Sequence, residues 1–486
     1  MTKKFFLDQH GCAKNQVDGE ILISRLEAAG FVRTEDPAGA DLILINSCGF
    51  IESAKKESLS AVMDARDAYP DAKILLTGCL AERYASEFDK ELPEADGFFG
   101  NGDLSKIDGV VKELFDGGRP VLCPTQKGVC CGDRTTLLSF KGSAYVKITE
   151  GCNNRCSFCA IPIIRGDLRS RNCDEIVSEI KGLVETGTHE INLIGQDLAA
   201  YGCGKDDDVF ADGTNGYDAI YKNQTKPRID VETADDGKDS FLLRLMKKIS
   251  VLPGDFWVRL LYIHPDHFNP DILSFMKTDK RFLPYFDIPF QSGDDAVIHA
   301  MNRKGNYESY VRLVRTIRDA FPESCIRTTF LTGFPGETAE AARNTQNFLH
   351  EIESDWSGCF PFSCEEGTAA EKMKGRVNHK TAEARASELE AIQAEITQNR
   401  LKARVGKIYD VLVEELVENK EGTDEGFAIG RAWFEAPDVD GNVVIQYDLD
   451  DPDAVRQIVP GAMVKVRSVA SSEVDIDGEW VGNELS

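Results

Sequence analysis

The stretch Thr149–Pro162, TEGCNNRCSFCAIP, brings Cys152, Cys156 and Cys159 together in the spacing C-x3-C-x2-C. Thiolates of this kind hold metals, but a structural zinc ion takes four closed ligands, and so does an ordinary electron-transfer Fe4S4 cube. Three thiolates on a cube leave one iron open to a small molecule, as the fourth position of a catalytic zinc is open to water. The short spacing lets one loop wrap three corners, and the ring of Phe158, before the last cysteine, can shield them. The loop follows the strand-like AYVKIT, at the start of a βα series where a barrel places its chemistry. A zinc or redox knuckle with a distant fourth ligand is the other reading of this spacing.

A second set of three is spread over the first eighty residues: Cys12 in HGCAKN, Cys48 in INSCGF and Cys79 in LTGCLAE. Each follows an apolar run, where a strand should hand over to a loop or helix. If those strands are parallel neighbours, the three thiols meet at one sheet edge, outside the strand C-termini, where open α/β sheets bind ligands. Coincident buried cysteines are the alternative. The other eight (Cys123, Cys130, Cys131, Cys173, Cys203, Cys325, Cys359 and Cys364) show no ligand pattern and read mostly as small buried hydrophobes.

The elements that must position these thiols are legible as alternating patterns. Residues 1–120 run strand, helix, strand, helix, which predicts a parallel α/β sheet. Residues 121–137, rich in Gly, Pro and Thr, read as a linker. A second α/β series spans 138–380, and its repeated βα units predict a complete or partial barrel. It is interrupted at 202–240 by a polar, Gly- and Asp-rich insertion that reads as a surface loop or flap. Residues 381–403 read as a connecting helix, with Leu389, Ile392 and Ile396 at helical spacing. Short β-rich runs over 404–486 predict a small all-β barrel.

The 486 residues exceed one compact domain, and 42% hydrophobic with 28% charged residues is ordinary for a soluble globular chain. No apolar run approaches the ~20 residues of a membrane span. The N-terminus lacks a long apolar region or a small-residue cleavage site, so a cytoplasmic protein is expected. In that compartment the fourteen cysteines point to metal ligation or catalysis rather than disulfides. The net charge of −26 disfavours direct nucleic-acid binding and favours a basic protein partner.

The first triplet, with an aromatic before its third cysteine, resembles the signature of the radical S-adenosylmethionine (SAM) superfamily. There, SAM chelates the open iron and is cleaved to a 5′-deoxyadenosyl radical that abstracts hydrogen. Two three-cysteine sets, one in an N-terminal α/β domain and one in a barrel, followed by a small TRAM-like antiparallel β-barrel, resemble the methylthiotransferases across the whole chain except the 202–240 insertion. That resemblance implies two 4Fe-4S clusters, SAM as cofactor, Cys12, Cys48 and Cys79 as ligands of the sulfur-bearing cluster, and Cys152, Cys156 and Cys159 as ligands of the radical-forming one. It also implies a low-potential electron donor such as flavodoxin or ferredoxin.

Two targets occur in this family: an adenosine of transfer RNA, and an aspartate of the small-subunit ribosomal protein S-twelve, free or on the subunit. GCAKNQVDGE, INSCGFIESAKKES and IRTTFLTGFPGET are similar to segments of the protein-modifying branch, with Ala13 and Ser47 as mild departures. Charge agrees: from Ala403 onward there are 7 Lys and Arg against 19 Asp and Glu. A net of −12 repels phosphate and attracts a basic ribosomal protein. A non-catalytic metal-binding scaffold is the reading from another class.

By resemblance, Gln196 in NLIGQDL is a contact for the SAM amino acid moiety, and Gln291 in DIPFQSG is the matching polar residue. Gly333 and Gly336 in GFPGE permit close backbone approach to a ligand. Arg165, Arg169 and Arg171 follow the cluster loop and are placed to neutralise a carboxylate or to pair structurally. His264 and His267 in IHPDH read as core or loop histidines rather than metal ligands.

Overall fold

The computed structural model describes residues 2–482 except 127, 130, 133, 232–238, 419–421 and 423, so Cys130 and part of the insertion lie outside the described residues. The N-terminal sheet is parallel and six-stranded: β1 (Lys4–Gln9), β2 (Val32–Arg33), β3 (Leu42–Ser47), β4 (Lys73–Gly78), β5 (Gly97–Phe99) and β6 (Val121–Leu122), in spatial order β2-β1-β3-β4-β5-β6. Every residue of β3 is buried, the signature of a parallel strand covered on both faces. Helices α1 (Ala13–Ala28), α2 (Glu52–Ala68) and α3 (Cys79–Glu91) follow β1, β3 and β4 directly. Short strand-to-helix loops therefore leave all three strand ends on one edge.

A second parallel sheet contains β7 (Ser143–Lys147), β10 (Glu190–Ile194), β11 (Trp257–Leu260), β12 (Phe282–Asp287), β13 (Cys325–Thr332) and β14 (Trp356–Pro361), in the order β14-β13-β12-β11-β10-β7. A two-stranded ribbon, β8 (Thr149–Glu150) with β9 (Arg169–Ser170), flanks the cysteine loop. With six strands and no pairing of β14 to β7 among the described residues, this is a partial barrel. Val146, Ile191, Leu193, Val258, Phe286, Ile326 and Phe330 fill its core.

The helix His379–Lys402 packs on β13 and β14 through Leu389 and Ile396 and leads to a closed barrel of β15 (Ile408–Val417), β16 (Glu425–Ala432), β17 (Val443–Asp448), β18 (Met463–Ser471) and β19 (Ile476–Trp480). Its pairs are antiparallel except β17 with β19, which closes in parallel.

The described part of the insertion is packed rather than purely superficial. Cys203, Val209 and Ile220 are buried, and Lys304 Nζ donates to the Ile220 carbonyl at 3.2 Å. These apolar residues follow neither a helical nor a strand period, so a pattern reading passes over them.

The segment after β16 inserts among the starts of the partial-barrel strands. Trp356 Nε1 donates to Phe434 O at 3.0 Å, and Arg327 pairs with Asp440 at 2.7 Å. Beside them, Glu190 is fully buried between Arg259 (2.8 Å) and Arg431 (2.7 Å), and Arg431 also holds Glu414 at 2.6 Å. Burial alone would raise the Glu190 carboxyl, but the Arg431 and Arg259 guanidinium groups hold it far below the usual carboxylate range. Glu190→Gln leaves buried Arg259 without a carboxylate and Arg431 with Glu414 alone, so chemical denaturation should show a loss of about 3–5 kcal/mol at neutral pH. Because the folded carboxyl is the more acidic one, its stabilisation is complete above roughly pH 4.3 and is lost as the pH falls further, so the gap to the variant should narrow in acid.

Candidate active site

The N-terminal thiols sit where their strands end. Cys12 caps α1 just after β1, Cys48 follows β3, and Cys79 opens α3 immediately after β4. Because β1, β3 and β4 are successive neighbours, the three thiols converge. A Cβ added at Gly11 would lie 3.5 Å from Cys48 Sγ, and one at Gly49 would lie 2.8 Å from the Cys79 carbonyl. Gly78 has φ +88°, and a side chain there would strike the Ser47 carbonyl at 2.7 Å, so glycine lets Cys79 turn inward. Asn15 ties the edge together: its Nδ2 donates to the carbonyls of His10, Asn46 and Ser47.

The second triplet lies in the loop after β8. Gly151, at φ +74°, turns against the Asp167 carbonyl, and Cys152 N donates to Gly166 O at 3.1 Å. Ser157 Oγ and N donate to Ala300 O and Met301 O, and Asn302 Nδ2 donates to Asn154 O and Arg155 O. Phe158 packs in the apolar cluster of Val297, Met301, Phe334 and Ala370. Asn154 Nδ2 donates to Asp197 at 3.0 Å, and Asp197 also accepts from the His264 amide and pairs with His267 at 2.6 Å. Thus His267 is a buried structural residue. His264 is a neighbour of the site, its Nε2 standing 3.8 Å from Cys156 Sγ.

Electrostatics separate the six thiols. Burial pushes Cys159 up to about 12 and raises Cys152 and Cys156, the latter against the opposing charge of Arg303. Burial also raises Cys48 to about 12 and raises Cys79 despite Arg165. Cys12 differs. Its side chain opens to the surface, and although surrounding protein desolvates it, Lys14 and Arg165 bring it below its ordinary value. Thiols held neutral when free give up protons when they bind a cationic centre.

Among the described residues no three Cys, His, Asp or Glu side chains close on a single point, as one zinc ion requires. A cube instead binds one thiolate at each of three separate corners, so its ligands need not meet at one point. Both amide atoms of Gln196 are buried without a hydrogen-bond partner, as is Thr149 Oγ1. Buried polar groups are ordinarily satisfied, so this end of the barrel is a polar socket that suits a small polar cofactor.

Gln291, after β12, is buried at φ +72° and fixed by backbone bonds to Thr329 and Leu331. At Gly333 an added Cβ would meet the Ala382 Cβ at 2.3 Å, so helix packing accounts for the glycine, whereas Gly336 faces open space. Of the three arginines, Arg165 enters the site, Arg171 pairs with Glu179, and Arg169 binds backbone carbonyls.

Sequence reasoning missed the polar seam between the two thiol sites. Lys147 pairs with Asp18 and Glu150, and Arg165 pairs with the same two carboxylates, all four side chains being buried. Lys14 Nζ lies 3.2 Å from the centre of the Tyr262 ring. The signal was present in AYVKIT, where a lysine interrupts a buried strand.

Fold and thiol geometry define a class, and the comparisons agree. Residues 4–100 match the family described as Uncharacterized protein family UPF0004, residues 146–349 the Radical SAM superfamily, and residues 405–481 the TRAM domain. The chain is thus a radical SAM enzyme carrying a TRAM barrel.

It is 48% identical to the ribosomal protein uS12 methylthiotransferase RimO of Treponema denticola, over 97% of this chain and 99% of that one. The protein of the same name from Carboxydothermus hydrogenoformans is 33% identical over 99% and 100%, and that from Thermotoga maritima 36% over 90% and 92%. The chain belongs to the RimO family of methylthiotransferases, whose cofactors are SAM and two 4Fe-4S clusters. Anaerobically reconstituted protein with Cys152, Cys156 and Cys159 all changed to alanine should hold half the parental iron and sulfide by colorimetric assay. The corresponding triple alanine variant at Cys12, Cys48 and Cys79 should hold the other half.

Proposed function

We propose that this enzyme adds a methylthio group to the β-carbon of an aspartate in ribosomal protein uS12. In this reading Cys152, Cys156 and Cys159 ligate the barrel cluster, and Cys12, Cys48 and Cys79 ligate the N-terminal one. When bound, the clusters and SAM supply a hydrogen-abstracting radical on one side and transferable sulfur on the other. Gln196 offers its unpartnered amide to the amino acid end of SAM, and Gln291 lines the same mouth. Phe158 and the apolar cluster around it keep water from the thiol loop.

The observation that carries the choice of target is the charge of the C-terminal barrel. Asp448, Asp450, Asp453, Asp477 and Glu479 are exposed on it, whereas two of its seven cations, Arg404 and Arg431, are buried in ion pairs. Glu414, Glu435 and Asp440 are buried as well, so the exposed surface keeps the acidic excess of the sequence. Such a surface attracts a lysine- and arginine-rich protein and repels RNA. It adjoins the starts of the partial-barrel strands, while the thiols stand at their ends. Its attraction thus steers and holds the substrate, and placing the aspartate falls to the mouth between the two triplets.

In this reading the enzyme works in the cytoplasm with an electron donor of flavodoxin or ferredoxin type. Among the described residues no helix is long and apolar enough to cross a membrane.

Intact-mass spectrometry of uS12 from cells lacking the gene should show the methylthio mass absent, and the plasmid-borne gene should restore it. Unchanged uS12 with an altered transfer-RNA nucleoside profile would overturn the assignment. Purified enzyme should bind uS12 more weakly as salt rises, because exposed charges are screened beyond about 8–10 Å at physiological ionic strength.

A further inference from the structure

Arg165 belongs to the partial barrel by sequence yet reaches the other thiol site. It caps the short helix Ile161–Ile164, six residues after Cys159, and its side chain is 2% exposed. Its Nη2 donates to Cys79 Sγ at 3.2 Å and to Asp18 at 2.9 Å, while Nη1 binds Glu150. Ala160 and Ile164 pack directly on Cys79. One short helix therefore links Cys159, two residues before its start, to a hydrogen-bond donor for the N-terminal site at its end.

We infer that Arg165 is a positioning residue that sets the reduction potential of the N-terminal cluster through its N–H contact with the Cys79 sulfur. Cluster potentials respond to net charge, to hydrogen bonds on the sulfurs and to solvent access. Asp18, Lys147, Glu150 and Arg165 amount to two anions and two cations, so their distant fields largely cancel, and the further buried cation, Lys14, sits on the Tyr262 ring and acts on Cys12. What remains is short-ranged, and Arg165 is the charged donor hydrogen-bonded to Cys79, with Asn101 Nδ2 a neutral one at 3.4 Å. An added electron makes the cluster more negative, and a charge-assisted N–H donor in a water-poor site stabilises that state. The contact thus makes the N-terminal cluster easier to reduce than its thiols alone would.

This inference rests on the N-terminal triplet being a cluster site, and the test separates the two. The starting protein is the full chain with Cys152, Cys156 and Cys159 changed to alanine, reconstituted anaerobically. Failure to hold iron there overturns the cluster assignment itself, and this inference with it. With iron present, an EPR-monitored redox titration of the added Arg165→Met change should give a lower midpoint potential, and Arg165→Lys should restore most of the difference. Equal potentials at equal iron content would overturn the role of Arg165 and leave the cluster assignment standing. Should Arg165→Met not retain iron, the chain with Arg165 intact decides. Labelled with 15N-arginine and reduced, it should show 15N hyperfine coupling at the N-terminal cluster by pulsed EPR, and the absence of coupling would overturn the contact.

Discussion

Parallel strands end together, and that constraint governs the molecule. In each α/β half the sheet delivers all its strand ends to one edge, and the chain spends its thiols there, three per half. Local devices finish the placement. Gly78 and Gly151 take left-handed conformations where a side chain would strike a carbonyl, and Asn15 pins three carbonyls at the first edge. Neither triplet depends on a long mobile loop, which suits a reaction whose intermediates must be kept from water.

The two edges face each other across a buried polar seam. Removing Asp18, Glu150, Lys147 and Arg165 from water is costly, and such groups persist only when each is matched. Here each carboxylate meets both cations, which fixes the relative position of the two halves more sharply than apolar packing does. The apolar contact of Cys79 with Ala160 and Ile164 lies within the same seam. Geometry and electrostatics of the two sites are therefore not independent.

Much of this was legible in the text of the chain. The strands and the six cysteines stood out because apolar runs bounded by Gly, Asn or Thr mark parallel strand ends. The division into an α/β sheet, a partial barrel and a small β-barrel followed from changes of period. What escaped was long-range pairing: Glu190 and Arg431 are 241 residues apart, and Arg165 and Asp18 are 147 apart, separations no local pattern encodes. The glycine at 333 suggested a ligand, whereas the neighbour that demands it is Ala382, 49 residues away on another element. Within the insertion, irregularly spaced Val209 and Ile220 hid the fact that it packs.

The segment at 433–440 that fills the floor of the partial barrel comes long after the strands it supports. Domains fold from the N-terminus as they emerge during synthesis, so the six-stranded sheet is complete well before its floor exists. Until then Glu190 lacks Arg431, and the strand starts of β13 and β14 lack the Phe434 carbonyl that Trp356 binds. The order of synthesis therefore makes closure of the catalytic half a late event, reached only after residue 440 has left the ribosome.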